Sequence, residues 1–302
     1  MSRVDTEIDG RRLSLSNLDK VLYPETGLTK AGVIDYYRRI APALLPHLAG
    51  RAITRVRYPD GVAREGFFEK HCPDHRPDWV ATASVARRSV DEAITFCLVD
   101  DLATLVWLAN LAALELHAPM ARADDPDHPT AVVFDLDPGP PAALGDACRV
   151  ALTLRQVLEG LDLESWPKTS GGKGLHVYVP IRPGPDHSAT REFALAVAEV
   201  LARRDPATIT QMDRATRAGK VFVDWSQNAR HKTTVAPYSL RAAASPSVST
   251  PVTWDEVAGA AGTDDHSTLR FDPASVVARF EGDGDLFAPV LTPAQQLPEL
   301  GG

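Results

Sequence analysis

Residues 131–138 read Ala-Val-Val-Phe-Asp-Leu-Asp-Pro, an apolar run that ends in two acids and a turn. A run of this kind before Pro138-Gly139 predicts a buried β-strand. Side chains alternate along a strand, so we expect Asp135 and Asp137 on one face and Leu136 on the other. Neighbouring carboxylates repel each other, and a hard cation such as Mg²⁺ or Mn²⁺ relieves that repulsion. Asp-x-Asp pairs also occur at ordinary strand ends, so this pattern alone leaves both interpretations open.

A glycine-rich loop lies further along the chain. Residues 169–180 read Thr-Ser-Gly-Gly-Lys-Gly-Leu-His-Val-Tyr-Val-Pro. Glycines allow a backbone to approach a ligand and to turn N–H groups toward anionic oxygens, and Lys173 adds a positive charge. The spacing is not that of a Walker loop, because a strand follows where that motif needs a helix. The segment is either a phosphate-binding loop or a hairpin turn, and His176 either contacts phosphate or metal or is structural.

A third segment adds another acid at the end of a predicted strand. Residues 220–228 read Lys-Val-Phe-Val-Asp-Trp-Ser-Gln-Asn, which places Asp224 after an apolar run. Three carboxylates beside a Gly-Lys loop are what two-metal phosphoryl transfer requires, since one ion activates the attacking hydroxyl and the other stabilises the leaving pyrophosphate. Taken alone, Asp224 could instead cap a turn.

Seven segments together carry a resemblance to a known family. In chain order they are Leu15-Ser-Asn-Leu-Asp-Lys-Val-Leu-Tyr-Pro, Gly66-Phe-Phe-Glu-Lys-His, Leu114-Glu-Leu-His, Phe134-Asp-Leu-Asp-Pro, Thr169-Ser-Gly-Gly-Lys-Gly-Leu-His, Val223-Asp-Trp-Ser-Gln-Asn and Thr233-Thr-Val-Ala-Pro-Tyr-Ser-Leu-Arg. The chain resembles the archaeo-eukaryotic primase superfamily. Within it, the chain is most similar to the polymerase domain of the bacterial ligase of non-homologous end joining (ligase D).

The resemblance implies a role for each matching residue. The catalytic, metal-binding positions are Asp135, Asp137 and Asp224. The positions that hold the triphosphate are Ser170, Lys173 and His176, and the other nucleotide-binding positions are His117, Arg241, Phe68 and Lys70. Phe67 and Phe68 match an aromatic pair near the nascent base pair. The positions that bind a 5′-phosphate on the downstream DNA strand are Asn17, Lys20 and Lys30, and Arg217 matches a residue that contacts the DNA end.

Several of these residues have an alternative interpretation. Adjacent strand residues face opposite ways, so one of Phe67 and Phe68 is expected in the core, and Phe68 is expected to stack on the substrate. Lys20 and Lys30 could be solvated lysines, His117 a core histidine near the end of a predicted helix, and Arg241 an exposed charge. Val56 stands where similar proteins carry a basic residue, which weakens any predicted phosphate contact there.

The net negative charge of the chain argues against DNA binding until its distribution along the sequence is considered. The 302-residue chain is 44% hydrophobic and has a net charge of −8. Most of that charge lies in residues 242–302, at −7, so residues 1–241 carry −1. We therefore expect weak duplex affinity with steep salt dependence. The polar N-terminus and the lack of an apolar run near 18 residues predict a cytoplasmic protein.

Cysteine usage predicts no disulfide framework. Cys72, Cys97 and Cys148 are odd in number and widely spaced. His71, Cys72 and His75 could bind zinc, but their spacing matches no common zinc motif. We therefore do not expect a zinc site there.

The predicted fold class is α+β (mixed α/β), and the resemblance implies a primase-polymerase core with a mainly antiparallel sheet flanked by helices. Helices are predicted at 29–48, 102–117, 142–161, 189–203 and 273–281, and strands at 52–58, 131–137, 175–180, 220–225 and 233–237. We expect one domain over 1–302. Its parts are an N-terminal region (1–120), a catalytic core (121–241), a C-terminal wrap (242–287) and a disordered tail (288–302).

The resemblance implies a DNA-dependent nucleotidyltransferase of the primase-polymerase type. It would use two Mn²⁺ or Mg²⁺ ions and nucleoside triphosphates, preferentially ribonucleotides. It would fill short 5′-phosphorylated gaps or breaks in DNA repair, with a separate ligase and an end-binding protein as potential partners. Starting at Met1, the chain is expected to be a stand-alone relative. Two alternatives are a non-catalytic DNA-end-binding module and a metal-dependent phosphohydrolase.

Overall fold

The computed structural model describes residues 3–86, 93–262, 269–292 and 294–298. The chain forms two compact units. The first unit comprises residues 1–119, 234–249 and 271–285, and the second comprises residues 120–233, 250–270 and 286–302. Within the described ranges, no helix is both long and apolar enough to cross a membrane.

The strands in chain order are β1 (Arg3–Ile8), β2 (Arg11–Ser16), β3 (Val21–Tyr23), β4 (Leu28–Thr29), β5 (Thr54–Arg57), β6 (Phe67–Glu69), β7 (Thr82–Ala86), β8 (Ala93–Cys97), β9 (Ala113–Ala118), β10 (Ala131–Pro138), β11 (Trp166–Thr169), β12 (Leu175–Pro180), β13 (Thr208–Ile209), β14 (Val221–Asp224), β15 (Thr234–Val235), β16 (Leu240–Arg241) and β17 (Ser247–Val248). The α-helices are α1 (Lys30–Leu48), α2 (Leu102–Asn110), α3 (Leu144–Glu159), α4 (His187–Arg204), α5 (Trp254–Ala260) and α6 (Pro273–Asp283).

The first unit contains a four-stranded sheet in the order β15-β9-β5-β6, with antiparallel pairing throughout. Helices α1 and α2 pack together beside it. Helix α1 begins after Thr29, whose side-chain oxygen caps the helix by accepting from Gly32 N–H. The core of this unit is built from apolar residues of α1, α2 and β9. This core fixes β9, the strand that carries His117, against the two helices.

The second unit is built around a five-stranded sheet in the order β11-β12-β10-β14-β13. All pairs are antiparallel except β13 with β14. Helices α3 and α4 pack against this sheet, and both contact the central strand β10. The apolar residues of β10, Val132, Val133, Phe134 and Leu136, are fully buried. The α+β class with mainly antiparallel sheets is thus confirmed.

One helix is shorter than its sequence pattern predicted. The predicted helix at 102–117 ends at Asn110, and residues 113–118 form β9. Ala112 takes a left-handed conformation with φ 58°, which stops the helix and turns the chain into the strand. The apolar run over both segments has no periodicity that separates a buried helix from a buried strand. His117 therefore lies on a strand and not near the end of a helix.

Two further expectations are corrected. Neither Phe67 nor Phe68 is in the core, since their side chains are 55% and 57% exposed on the edge strand β6. Part of the predicted disordered tail is instead ordered within the second unit. Residues 288–291 form a 3₁₀ turn, and the Gln295 side chain donates to Glu164 O and Pro180 O.

A disulfide joins Cys72 to Cys97, against the expectation from cysteine count. An odd number of cysteines says nothing about which of them meet in space. Here β8 pairs with β7, and Cys72 N–H donates to Thr95 O on β8, which brings Cys72 next to Cys97. The guanidinium of Arg55 lies against this bridge, with Nη2 donating to His71 O. Cys72 is thus committed to Cys97, while Cys148 is a buried thiol whose pKa burial raises to about 12.

Candidate active site

The acids on β10 lie on one face of the second unit's sheet. Leu136 is fully buried, whereas Asp135 and Asp137 are half-buried on the opposite side, as the alternation predicted. Asp135 is paired in register with Asp224 on β14 and with His176 on β12. Directly opposed residues of antiparallel strands project to the same face. The backbone therefore lines up His176, Asp135 and Asp224 across three strands, with Asp137 two residues further along β10.

Each carboxylate has a positively charged or amide partner. Asp137 lies 3.1 Å from Lys173 Nζ and 3.6 Å from Arg217 Nη1. Asp135 Oδ1 lies 3.4 Å from His176 Nε2. The glycine-rich loop, β12 and the loop before β14 thus each place one nitrogen near these two acids.

Asp224 is held by the turn that follows it. Its Oδ1 accepts from the N–H and the hydroxyl of Ser226, so it caps the short 3₁₀ turn at 225–228. Gln227 Nε2 lies 3.1 Å from Asp224 Oδ2 and 3.5 Å from Asp135 Oδ2. The turn-capping alternative for Asp224 is therefore real. Capping the turn uses only Oδ1 of Asp224. The other oxygen, Oδ2, remains on the acidic face, where Gln227 Nε2 lies between it and Asp135 Oδ2.

The donor set fits a hard divalent cation, although the side chains are not arranged as a metal cage. In the part of the chain that the structure describes, no three His, Cys, Asp or Glu side chains form a metal-binding group. The acids point instead to Lys173, Arg217 and Gln227. Lys173 is 60% exposed in its ion pair with Asp137, and such solvated pairs contribute little stability. A dication could therefore displace Lys173 by side-chain rotation alone, with Asp135, Asp137 and Asp224 as its oxygen ligands.

The glycine-rich loop is closed by Ser170. Its hydroxyl oxygen accepts from Gly172 N–H and Gly174 N–H, and Ser170 N–H donates to Gly174 O. Those two glycine N–H groups are used inside the loop, so they are not aimed at an anion as the sequence suggested. Lys173 extends from the loop, donates to Pro138 O and reaches Asp137. Lys173 is thus the positively charged group that this loop presents beside the acids.

Two glycines permit the close packing of backbones around β10. A Cβ on Gly139 would lie 2.1 Å from Arg217 O, and a Cβ on Gly174 would lie 2.5 Å from Leu136 O. Real Cβ atoms do not approach backbone oxygens so closely. The guanidinium of Arg217 stacks 3.7 Å above the Phe222 ring and donates to Met212 O. The loop that carries Arg217 is therefore fixed against the end of β10.

Three residues predicted to line the nucleotide pocket meet on one face of the first unit's sheet. Strand register puts Phe68, Val56 and Glu115 in one row, with His117 two residues along β9. The exposed Phe68 ring meets the His117 ring edge-on, with 5.9 Å between ring centroids. Arg241 reaches the same cluster from β16 through Glu115. Lys70 follows β6 and is partly exposed.

Glu115 is the centre of that cluster. Its Oε2 accepts from His117 Nε2 at 2.8 Å, while its Oε1 accepts from Ala242 N–H at 2.9 Å and lies 3.3 Å from Arg241 Nε. Burial opposes ionisation of this carboxyl. The hydrogen bond from His117, the charge of Arg241 and the Ala242 N–H outweigh burial, so the pKa of Glu115 is lowered. Glu115 is therefore an ionised carboxylate at neutral pH.

The residues predicted to bind a 5′-phosphate also converge in the first unit. Lys30 is 5% exposed, and its Nζ donates to Asn110 O at 2.8 Å. Lys30 N–H donates to Lys20 O at 2.8 Å, so the two lysines are neighbours, and burial and the charge of Lys20 lower the pKa of Lys30. Lys20 Nζ pairs with Asp60 at 2.8 Å, and Asn17 takes a left-handed conformation whose carbonyl accepts from Lys20 N–H. The interpretation of Lys30 as a solvated lysine is wrong.

Sequence reasoning did not assign Glu115 or Gln227. Both lie inside quoted motifs, and Glu115 stands two residues before His117. Had 113–118 been recognised as a strand, period-2 alternation would have put Glu115 and His117 on one face. Gln227 gives no comparable signal, because its contact with Asp135 depends on the turn at 225–228.

Known proteins match this chain over most of its length. Residues 29–287 match the family described as LigD, primase-polymerase domain. The chain is 44% identical over 282 residues to the multifunctional non-homologous end joining protein LigD of Mycolicibacterium smegmatis, covering 92% of this chain and 36% of that protein. It is 34% identical over 248 residues to the bifunctional non-homologous end joining protein LigD of Bacillus subtilis, covering 82% and 39%. The chain thus spans little more than a third of the length of these curated relatives.

A solved structure also matches across the chain. The polymerase domain from Mycobacterium tuberculosis ligase D, solved in complex with DNA, superposes with a TM-score of 0.85 at 40% identity. The match covers 93% of this chain and 98% of that one. The resemblance identified from the seven motifs is confirmed.

Proposed function

Because the chain belongs to the family of LigD primase-polymerase domains, we propose that it is a DNA-dependent nucleotidyltransferase of DNA repair by non-homologous end joining. The observation that carries the proposal is the acidic face of β10 and β14, where Asp135 and Asp224 are direct register partners beside Asp137. Lys173 and Arg217, which both contact Asp137, supply positive charge for a polyphosphate. In this reaction a primer 3′-hydroxyl attacks the α-phosphate of a nucleotide, and pyrophosphate leaves.

The chain's own residues have distinct parts in that reaction. Asp135, Asp137 and Asp224 would hold two ions, Mn²⁺ or Mg²⁺. Bound ions would lower the pKa of the 3′-hydroxyl and neutralise charge on the pyrophosphate. Lys173 and Arg217, once displaced from Asp137, would pair with phosphate oxygens. Ser170 holds the loop that presents Lys173, and His176 restrains Asp135.

The substrates follow from the family and from the first unit. We propose gapped or broken DNA with a 5′-phosphate as the polynucleotide, bound through Asn17, Lys20 and Lys30, with Arg217 contacting the DNA end. We propose nucleoside triphosphates, preferentially ribonucleotides, as the other substrate, with Phe68, Lys70, His117 and Arg241 at the nucleotide. We propose that the protein is located in the cytoplasm with its DNA substrate. A separate ligase and an end-binding protein are the proposed partners.

Primer extension on a gapped duplex tests the proposal. Wild-type protein should add nucleotides in the presence of Mn²⁺, while Asp135→Asn and Asp137→Asn should retain DNA binding and lose synthesis. Asp255→Asn makes the same change at an exposed carboxylate in the first turn of α5, and this matched control should extend normally. Synthesis that survives in both acidic-face variants would reject these residues as metal ligands.

A DNA-end-binding module remains the second candidate, because the buried ammonium of Lys30 with Lys20 nearby suits a phosphate and needs no catalysis. End bridging by wild-type protein without any synthesis would favour the module. Release of phosphate from nucleotides without DNA would instead favour a phosphohydrolase.

A further inference from the structure

Glu115 connects two residues of the proposed nucleotide pocket that lie far apart in sequence. One oxygen accepts from His117 and the other lies beside the Arg241 guanidinium and accepts from the Ala242 N–H. The carboxylate is nearly buried, with 9% of its side chain exposed. Three donors from β9, from β16 and from the residue after β16 thus converge on one buried negative charge.

The carboxylate constrains both partners. An ionised carboxylate only accepts hydrogen bonds, so the facing Nε2 of His117 must carry a proton. This fixes the plane of the imidazole ring and turns Nδ1 away from Glu115. The guanidinium of Arg241 has five N–H donors in a rigid fork, and its Nε forms an ion pair with Glu115 Oε1 at 3.3 Å. The orientation of the Nη groups is thereby set, and they remain chemically able to pair with another anion.

A second carboxylate in the same unit shows what a structural role looks like. Asp285 accepts from His47 Nε2 at 2.9 Å and from the Tyr238 hydroxyl at 2.6 Å. His47 and Tyr238 are themselves buried. The partners of Glu115 are more exposed, and the His117 ring contacts the exposed ring of Phe68. Glu115 therefore orients groups that a ligand can reach, whereas Asp285 joins elements inside the fold.

We propose that Glu115 is a positioning residue for nucleoside triphosphate binding, acting through His117 and Arg241; this rests on the proposed function. The ionised side chain holds both groups ready before the nucleotide arrives, which reduces the ordering cost of binding. Because the contacts exist without substrate, they stabilise the bound ground state and transition state alike. A change at Glu115 should therefore raise KM for the nucleotide and leave kcat nearly unchanged.

Glu115→Gln is the direct test, because it removes the charge at nearly constant volume. Losing charge-assisted hydrogen bonds should raise KM and the nucleotide Kd by about 10- to 100-fold. Glu115→Asp keeps the charge and should recover part of the loss, and it also serves if Glu115→Gln folds poorly. The His117→Ala and Glu115→Gln changes should be less than additive when combined, because they remove one shared interaction.

Asp285→Asn is the matched control, since it makes the same carboxylate-to-amide change next to a histidine. It should lower the melting temperature and leave KM and Kd unchanged. Extension kinetics, calorimetric titration with a ribonucleoside triphosphate and thermal unfolding are measured for each protein, and binding is expressed per mole of folded protein.

The outcomes separate the two proposals. If Glu115→Gln keeps the wild-type KM and Kd, or if Asp285→Asn raises them equally, the positioning role of Glu115 is refuted. The proposed polymerase function would be unaffected by either result. Wild-type protein that binds nucleotide and incorporates none would refute the proposed function, and the Kd ratio would still decide the role of Glu115. If the wild-type protein does not bind nucleotide at all, both proposals fail.

Discussion

Replacing Lys30 with methionine should reduce the preference for a 5′-phosphorylated gap far more than replacing Lys20 with alanine. Lys30 Nζ is nearly enclosed and bonded to Asn110 O, whereas Lys20 is more exposed and already paired with Asp60. A charge near the protein interior interacts more strongly than a solvated one. Methionine keeps the length of the side chain and removes only its charge and donors.

The expected magnitudes follow from these two environments. A hydrogen bond to a charged group contributes about 1.5–3 kcal/mol, so Lys30→Met should lower affinity for the phosphorylated end by about 10- to 150-fold. An exposed ion pair contributes about 0.2–1 kcal/mol, so Lys20→Ala should cost no more than about fivefold.

Raising the pH should have two opposite effects. Burial, reinforced by Lys20, lowers the pKa of Lys30, and only the ammonium form binds phosphate. Phosphate preference should therefore fall as pH rises through this lowered pKa, before an ordinary lysine titrates. In the same window the unfolded chain binds the proton more tightly than the folded one, so the free energy of unfolding without DNA should rise with pH. Lys30→Met should abolish both trends.

Fluorescence anisotropy with a gapped duplex carrying either a 5′-phosphate or a 5′-hydroxyl measures the preference at constant ionic strength. The affinity ratio between the two duplexes cancels the general electrostatic contribution. If Lys30→Met kept the wild-type ratio while Lys20→Ala lost it, the assignment of the phosphate contact to the buried ammonium would be refuted.

Three other changes have definite expected outcomes. Asp224→Asn should abolish primer extension with the melting temperature retained, because asparagine caps the 225–228 turn as well as aspartate does; normal turnover would contradict its metal role. Cys72→Ser should lower the free energy of unfolding in denaturant titration by about 3 kcal/mol, from closure of the 25-residue separation to Cys97, and an unchanged midpoint would show that the bridge does not form. Gly139→Ala forces backbone apart beside Arg217 and should cost about 1–3 kcal/mol of stability together with extension activity; a wild-type midpoint would mean that the contact is loose.

The central sheet of the second unit could be predicted because its signals are local. Period-2 alternation placed Asp135 and Asp137 on one face, and the apolar runs located β10, β12 and β14. The direct pairing of Asp135 with Asp224 could not be derived in this way, since strand register depends on how distant segments meet. Family resemblance supplied that grouping, and the register agrees with it.

The first unit shows where local pattern fails. A single left-handed residue, Ala112, divides a uniformly apolar run into α2 and β9, and nothing in its side chain signals this. Because residues 113–117 were predicted as helix, the placement of Glu115 and His117 on one face of a strand was not predicted. The bond between Cys72 and Cys97 was missed because counting cysteines carries no spatial information. The first failure concerns the backbone conformation of one residue and the second concerns which residues meet in space, and neither concerns residue chemistry.

The arrangement of the acidic side chains around bound cations is the point on which the whole account depends. A crystal structure with Mn²⁺ and a non-hydrolysable ribonucleoside triphosphate measures it directly. The account predicts oxygens of Asp135, Asp137 and Asp224 within metal-ligand distance, about 2.0–2.6 Å, with Lys173 turned from Asp137 to the triphosphate. Metal bound elsewhere, with Asp137 still on Lys173 and Arg217 and Asp224 still on Gln227, would contradict it.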